Sequence, residues 1–163
     1  MQAFPHHYTV ATNGSATGDV ELNADGLPTL RSASPIPFDG PGDRWSPETL
    51  LVAAVGDCLI LTFRAVARAS GFAWTSLECD VTGTLDRIER TTRFVAFEVR
   101  ACLRVPPGTD PDRARQVLEK AERSCLISKS LNGAIRLIPT IDVAAEPISE
   151  LLPILEENAP PAT

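Results

Sequence analysis

Four cysteines, Cys58, Cys79, Cys102 and Cys125, carry most of the chemical potential of this chain. A thiolate is a nucleophile and a metal ligand, and two neighbouring thiols can cycle through a disulfide. No two of the four form a Cys-x-x-Cys pair and His is scarce, so a structural zinc site is not expected. Structural disulfides are rare in a reducing compartment, so each cysteine is read as core or as chemistry. Cys79 falls on the apolar face of an alternating segment, the usual place of a small buried thiol. Cys102 falls on a polar face between Arg100 and Arg104. That basic setting can lower a thiol pKa, but a half-exposed bystander is the plainer reading. Cys58 shares a helical face with Leu51, Ala54, Val55, Thr62 and Ala65, and Cys125 continues the stripe Ala114, Val117, Leu118 and Ala121. Periodicity alone makes both of them core thiols.

The elements that would position these thiols follow from local signals. Residues 8 to 32 read as short strands with turns at Asn13-Gly14 and Asp25-Gly26, dipeptides that accept positive φ cheaply. Residues 33 to 45 hold three Pro and two Gly and read as an irregular loop. A long apolar helix follows. Ser46 is its N-cap, Pro47 fits its first position, and Glu48 lies in the first turn where the helix dipole favours an anion. It runs to about Ser70, with Gly71 as the stop. Gly56, costly at mid-helix, is read as marking close approach of another backbone. Two segments of period two come next. Leu77, Cys79, Val81 and Leu85 form one apolar face, and Val95, Phe97, Val99, Ala101, Leu103 and Val105 the other. One polar face each predicts antiparallel strands covering a core, joined as a long hairpin near Arg87 to Thr92. A second helix starts at Asp110 or Pro111, and a strand spans Ala134 to Val143.

Length and composition bound the rest. The chain has 163 residues, which fits one domain at 1–145 with a tail at 146–163. Apolar content of 44% and charged content of 22% are ordinary for a soluble globular protein. A net charge of −6 with scattered Lys and Arg argues against nucleic-acid binding. The most apolar stretch, Leu50 to Val66, is interrupted by Asp57 and Arg64 and reads as a buried core helix rather than a membrane span. No apolar segment of the targeting type opens the sequence, so a cytoplasmic location is expected. The residues by themselves stop at a soluble α+β domain.

Two stretches carry more. Ser46-Pro47-Glu48-Thr49-Leu50-Leu51-Val52-Ala53-Ala54-Val55-Gly56-Asp57-Cys58 resembles the signature of the OsmC/Ohr family, in which a Pro-Glu pair opens a long apolar helix and the peroxidatic Cys follows ten residues after the Glu. Cys125-Leu126-Ile127-Ser128-Lys129-Ser130-Leu131 is similar to that family's second motif, a Cys closing the penultimate helix. The order of elements over residues 8 to 143 also matches. The resemblance implies an OsmC-like α+β fold, with antiparallel sheets wrapped around a long central apolar helix in an intertwined homodimer. It implies a thiol-dependent peroxidase, acting on hydroperoxides and organic ones above all, with no metal, haem or flavin. Cys58 would attack the peroxide, Cys125 would resolve the sulfenic acid as a disulfide, and an external dithiol would reduce it.

The family's Glu maps to Glu48. Glu48 and Cys58 lie roughly 15 Å apart along one helix axis, so a site using both would be shared between two crossing helices of a dimer. The family's Arg has no direct counterpart. The region matching the Arg-bearing first turn of Ohr proteins, Asn13 to Gly18, holds none, and Pro37 stands before Phe38 where OsmC proteins place an Arg. Arg44 is the favoured replacement, folded back beside Glu48, with Arg31 the alternative. Asp57 is expected to pair with Arg64 and Arg68 on a separate stripe, and Phe38, Trp45 and Phe63 either line an apolar pocket or belong to the core. The competing reading is a small-ligand-binding protein on the same fold with little or no peroxidase activity.

Overall fold

The structure, a computed structural model, describes residues 3–146. The expected tail lies outside the described residues except at Glu146. The elements are β1 (Ala11–Asn13), β2 (Val20–Asn23), β3 (Leu30–Ser32), a single 3-10 turn (Ile36–Phe38), α1 (Pro47–Ala69), β4 (Ser76–Ile88), β5 (Thr91–Val105), α2 (Pro111–Ser124), α3 (Leu126–Lys129) and β6 (Ala134–Val143). They fall into two compact units, one up to Val55 and one from Gly56 onwards.

In the first unit β1, β2 and β3 form an antiparallel sheet in that order. The Asp25-Gly26 turn is present. The Leu27 N–H donates to the Ala24 carbonyl at 3.1 Å, and Gly26 takes φ 71°. The Asn13-Gly14 turn is not a tight one. Asn13 pairs with Glu21, so residues 14–19 form a longer connection. The Pro-rich loop is pinned at both ends, where the Ala33 N–H donates to the Trp45 carbonyl at 2.9 Å. The Ser46 cap is a reciprocal box. The Thr49 N–H donates to Ser46 Oγ at 3.2 Å, and the Ser46 N–H donates to Thr49 Oγ1 at 2.8 Å. Thr49 here does what a Glu or Gln does in the commoner form of this motif.

In the second unit β4 and β5 make the expected long hairpin. Its turn residues are Glu89 and Arg90, both at positive φ (47° and 71°), a backbone twist that suits tightly paired strands. The second sheet departs from expectation: β6 pairs with β5 in parallel, Ala96 with Ala134 through to Val105 with Val143. The sheet is mixed rather than antiparallel. A parallel pair needs a crossover of a dozen or more residues, and the segment holding α2 and α3 supplies it. Alternation along β5 is as read, with Phe97, Val99, Ala101, Leu103 and Val105 all buried. Ala114, Leu118 and Ala121 of α2 are buried too.

The long helix is less buried than its composition suggests. Val55, Leu59, Phe63 and Ala67, spaced four apart, are the buried stripe, while Leu61 is 51% exposed. By length and composition, with a mean hydropathy of 2.0, α1 would also suit a bilayer. The fit of its Gly56 to β4 is that of a packed core helix. A Cβ on Gly56 would lie 3.1 Å from Val81 Cγ2, so the close approach is to a side chain and not to a backbone. Phe63 is fully buried, edge-on to Phe72 and Trp74 with ring centroids 6.4 and 5.1 Å away. It belongs to the core.

Candidate active site

Cys58 and Cys125 are brought together in the second unit. Cys58 sits half-buried on α1, and its sulfur lies 3.8 Å from Thr62 Oγ1 one turn on. Cys125 is fully buried. It does not continue α2 as the stripe implied. It is the C-cap of α2 and the N-cap of α3 at once, with extended backbone (φ −65°, ψ 119°). The break has a consequence for Cys58. The first N–H groups of a helix have no partner within it, and the break aims them at the thiol. The Ile127 N–H donates to Cys58 Sγ at 3.5 Å.

The electrostatics of the two thiols diverge. Burial pushes the Cys58 pKa up, but the Ile127 N–H, the Cys125 thiol, the Thr62 hydroxyl and the Leu126 N–H together outweigh it, and Cys58 ends below the ordinary thiol value. Cys125 is pushed above it, first by burial and then by the nearby Cys58, with Ser128 working the other way. The arrangement sets a sulfur shifted toward thiolate beside a second thiol shifted the other way. Cys79 is inert by contrast, pushed up to about 11 by burial and by Asp80. Sequence reasoning missed the backbone donors, since an N–H carries no residue type. They depend on the break at Cys125, which the residue pattern of α2 does not signal.

The first unit holds the other two expected residues, and it does not bring them together. Arg44 is taken by two carboxylates, Asp19 (Nε to Oδ2, 3.0 Å) and Asp43 (Nη1 to Oδ2, 3.0 Å). Arg31 lies 3.8 Å from Glu21. Neither pairs with Glu48, whose Oε2 is buried with no hydrogen-bond partner among the described residues. The expected Arg44–Glu48 pair is thus corrected: nearer carboxylates hold the guanidinium. Asp57 is exposed and forms no ion pair with Arg64 or Arg68 among the described residues. A groove of about 530 Å³ opens beside Glu48, walled by Val20, Leu22, Pro35, Phe38 and Leu50. Phe38 thus lines an apolar cavity as expected, while Trp45 borders a separate, shallower one with Arg31 and Arg44. Among the described residues no group of three or more His, Cys, Asp or Glu is placed to hold a metal ion.

Comparisons with known proteins agree with this architecture. The chain is 25% identical over 136 residues to the uncharacterized protein YmaD of Bacillus subtilis, covering 81% of this chain and 91% of that one. An OsmC-like protein of unknown function from Vibrio cholerae superposes with a TM-score of 0.77 at 14% identity, over 83% of this chain and 100% of that chain. An organic hydroperoxide resistance protein from Legionella pneumophila does so with a TM-score of 0.69 at 22% identity, over 86% and 100%. At these identities the two structures show the fold. The family model described as OsmC-like protein matches residues 40–139, the stretch that contains both cysteine motifs, and the chain belongs to the OsmC-like protein family.

Proposed function

We propose that this protein is a thiol-dependent peroxidase that reduces organic hydroperoxides. One observation carries the reading: the Ile127 N–H, two residues after Cys125, donates to Cys58 Sγ at 3.5 Å, which sets two cysteines distant in sequence beside each other, Cys58 lowered toward thiolate and Cys125 raised toward thiol. The Cys58 thiolate attacks the distal oxygen of the hydroperoxide. The O–O bond breaks, the alkoxide leaves and takes up a proton as the alcohol, and Cys58 becomes a sulfenic acid. The Cys125 thiol then displaces hydroxide from that sulfur, releasing water and leaving a Cys58–Cys125 disulfide. An external dithiol returns both thiols by two exchange steps and is itself oxidised. No metal or organic cofactor enters this cycle. The fold shared with the hydroperoxide resistance protein of Legionella pneumophila supports the substrate class.

Under this reading the N–H groups of Ile127 and Leu126 do part of the work a cation does for a thiolate, since a fixed donor favours the charged form. Glu48 completes the site as a polar group, supplied to Cys58 by a second copy across crossing α1 helices in a homodimer. The half-buried and exposed apolar residues of α1 support that dimer. Free thiols that must be regenerated suit a reducing, cytoplasmic location. The test is turnover: hydroperoxide consumption in the presence of a dithiol must vanish in Cys58→Ser. In Cys125→Ser a first equivalent of peroxide must still be consumed. A monomer with full activity would remove the shared site. The second reading, a ligand-binding protein with little catalysis, is favoured by one observation, the absence of an arginine paired to Glu48 among the described residues.

A further inference from the structure

We propose that Thr62 is a catalytic residue of the peroxide reaction: its hydroxyl donates first to the Cys58 thiolate and then to the leaving oxygen of the hydroperoxide. The proposal deepens the peroxidase reading and rests on it. Thr62 follows Cys58 by one turn of α1, and its Oγ1 lies 3.8 Å from Cys58 Sγ. A thiolate has no hydrogen to give, so in the reactive state the contact runs from hydroxyl to sulfur. A helical hydroxyl has another option, the carbonyl one turn back. Ser70 donates to the Val66 carbonyl at 2.8 Å, and Ser130 to the Leu126 carbonyl at 2.9 Å. The Thr62 hydroxyl makes no such bond among the described residues, and its partner there is Cys58 Sγ. Cys125 is fully buried, whereas Cys58 and Thr62 both keep part of their surface open, so a hydroperoxide that reaches the sulfur comes up against Thr62. None of the groups that lower Cys58 is a cation, which leaves negative charge at this sulfur to neutral donors. As Cys58 gives its electron pair to the distal oxygen, the S–O bond forms, the O–O bond breaks, and the charge passes to the leaving oxygen. The Ile127 N–H is fixed on the backbone. The Thr62 O–H turns about its Cβ–Oγ bond and follows the charge with no heavy atom moving. The alkoxide takes its proton from water, and Thr62 keeps its own.

The experiment measures the rates at which Cys58 of the full, reduced protein reacts with tert-butyl hydroperoxide and with iodoacetamide. Both are read by mass spectrometry at a pH high enough for Cys58 to be fully thiolate. The two reagents meet the same sulfur, but only the peroxide expels an oxyanion for a hydroxyl to hold. Thr62→Val keeps the shape of the side chain and removes the O–H. The peroxide rate should then fall about tenfold, less than the roughly hundredfold or more of a donor in a water-excluded site, while alkylation stays within about twofold. Thr62→Ser, which returns the hydroxyl, should restore the peroxide rate. Thr62→Ala, a better helix former, repeats the comparison should the valine variant not fold. A peroxide rate in these hydroxyl-free variants equal to that of the unmodified protein overturns the proposal. So does an equal fall in both reactions, which would mean a structural role. If Cys58 of the unmodified protein is alkylated but not oxidised by peroxide, the peroxidase reading falls and the proposal with it, an outcome distinct from the other two.

Discussion

Replacing Leu126 by proline tests whether backbone donors activate Cys58. Proline removes one N–H and little else at this position. Leu126 is the first residue of α3, where proline is well accommodated. Cys125 before it is already extended at φ −65° and ψ 119°, the conformation a following proline demands. The Leu126 side chain is 72% exposed, so no core is lost. A hydrogen bond to a charged partner contributes about 1.5–3 kcal/mol. Cys58 is half-buried and the Leu126 N–H is the smallest of the groups that lower it, so about half of the lower bound is the fair expectation. At 1.36 kcal/mol per pKa unit that is about half a unit or somewhat more. Below its pKa the thiolate fraction of Cys58, and with it the alkylation rate, should fall by roughly threefold. The assay is the pH dependence of alkylation of the Cys58 peptide by mass spectrometry, with Leu126→Ala as the control that keeps the N–H. An unchanged profile in a variant whose circular dichroism is native would refute the reasoning.

Other consequences are more local. Phe63→Ala empties a fully buried ring site between Phe72 and Trp74 and should cost about 3–5 kcal/mol in chemical denaturation. Gly40→Ala would drive a Cβ into the Ser34 carbonyl. Since backbone must then move, a loss of about 1–3 kcal/mol or more is expected in the same assay. Cys79 is held at about 11 against an ordinary 9.0. The folded state therefore keeps its proton longer than the unfolded chain does. Its contribution to stability is whole below pH 9.0, declines as pH rises toward about 11, and should disappear from the pH–stability curve in Cys79→Ala.

Much of this molecule was legible in the sequence because local rules fix it. The Ser46-Pro47 start of α1, the Gly71 stop and the alternation along β5 each follow from neighbouring residues. The direction of β6 was not legible as read, because alternation is blind to whether a strand runs parallel or antiparallel; the helical segment before it held the clue. Cys58 and Cys125 were singled out by motif, but their closeness depends on the break at Cys125. A helical stripe continued by four residues could not foresee that break. Arg44 shows the limit of charge reading. Glu48 lay four residues away in sequence, yet Asp19, twenty-five residues away, and the adjacent Asp43 hold the guanidinium in space.

The central claim is that Cys58 and Cys125 form a redox pair. The reduced protein should be treated with one equivalent of an organic hydroperoxide, its free thiols counted, and any disulfide mapped by tryptic mass spectrometry. The account predicts the loss of two of the four thiols, a Cys58–Cys125 link, and no such link in Cys58→Ser. Four thiols unchanged, or a disulfide joining Cys79 or Cys102 instead, would contradict it.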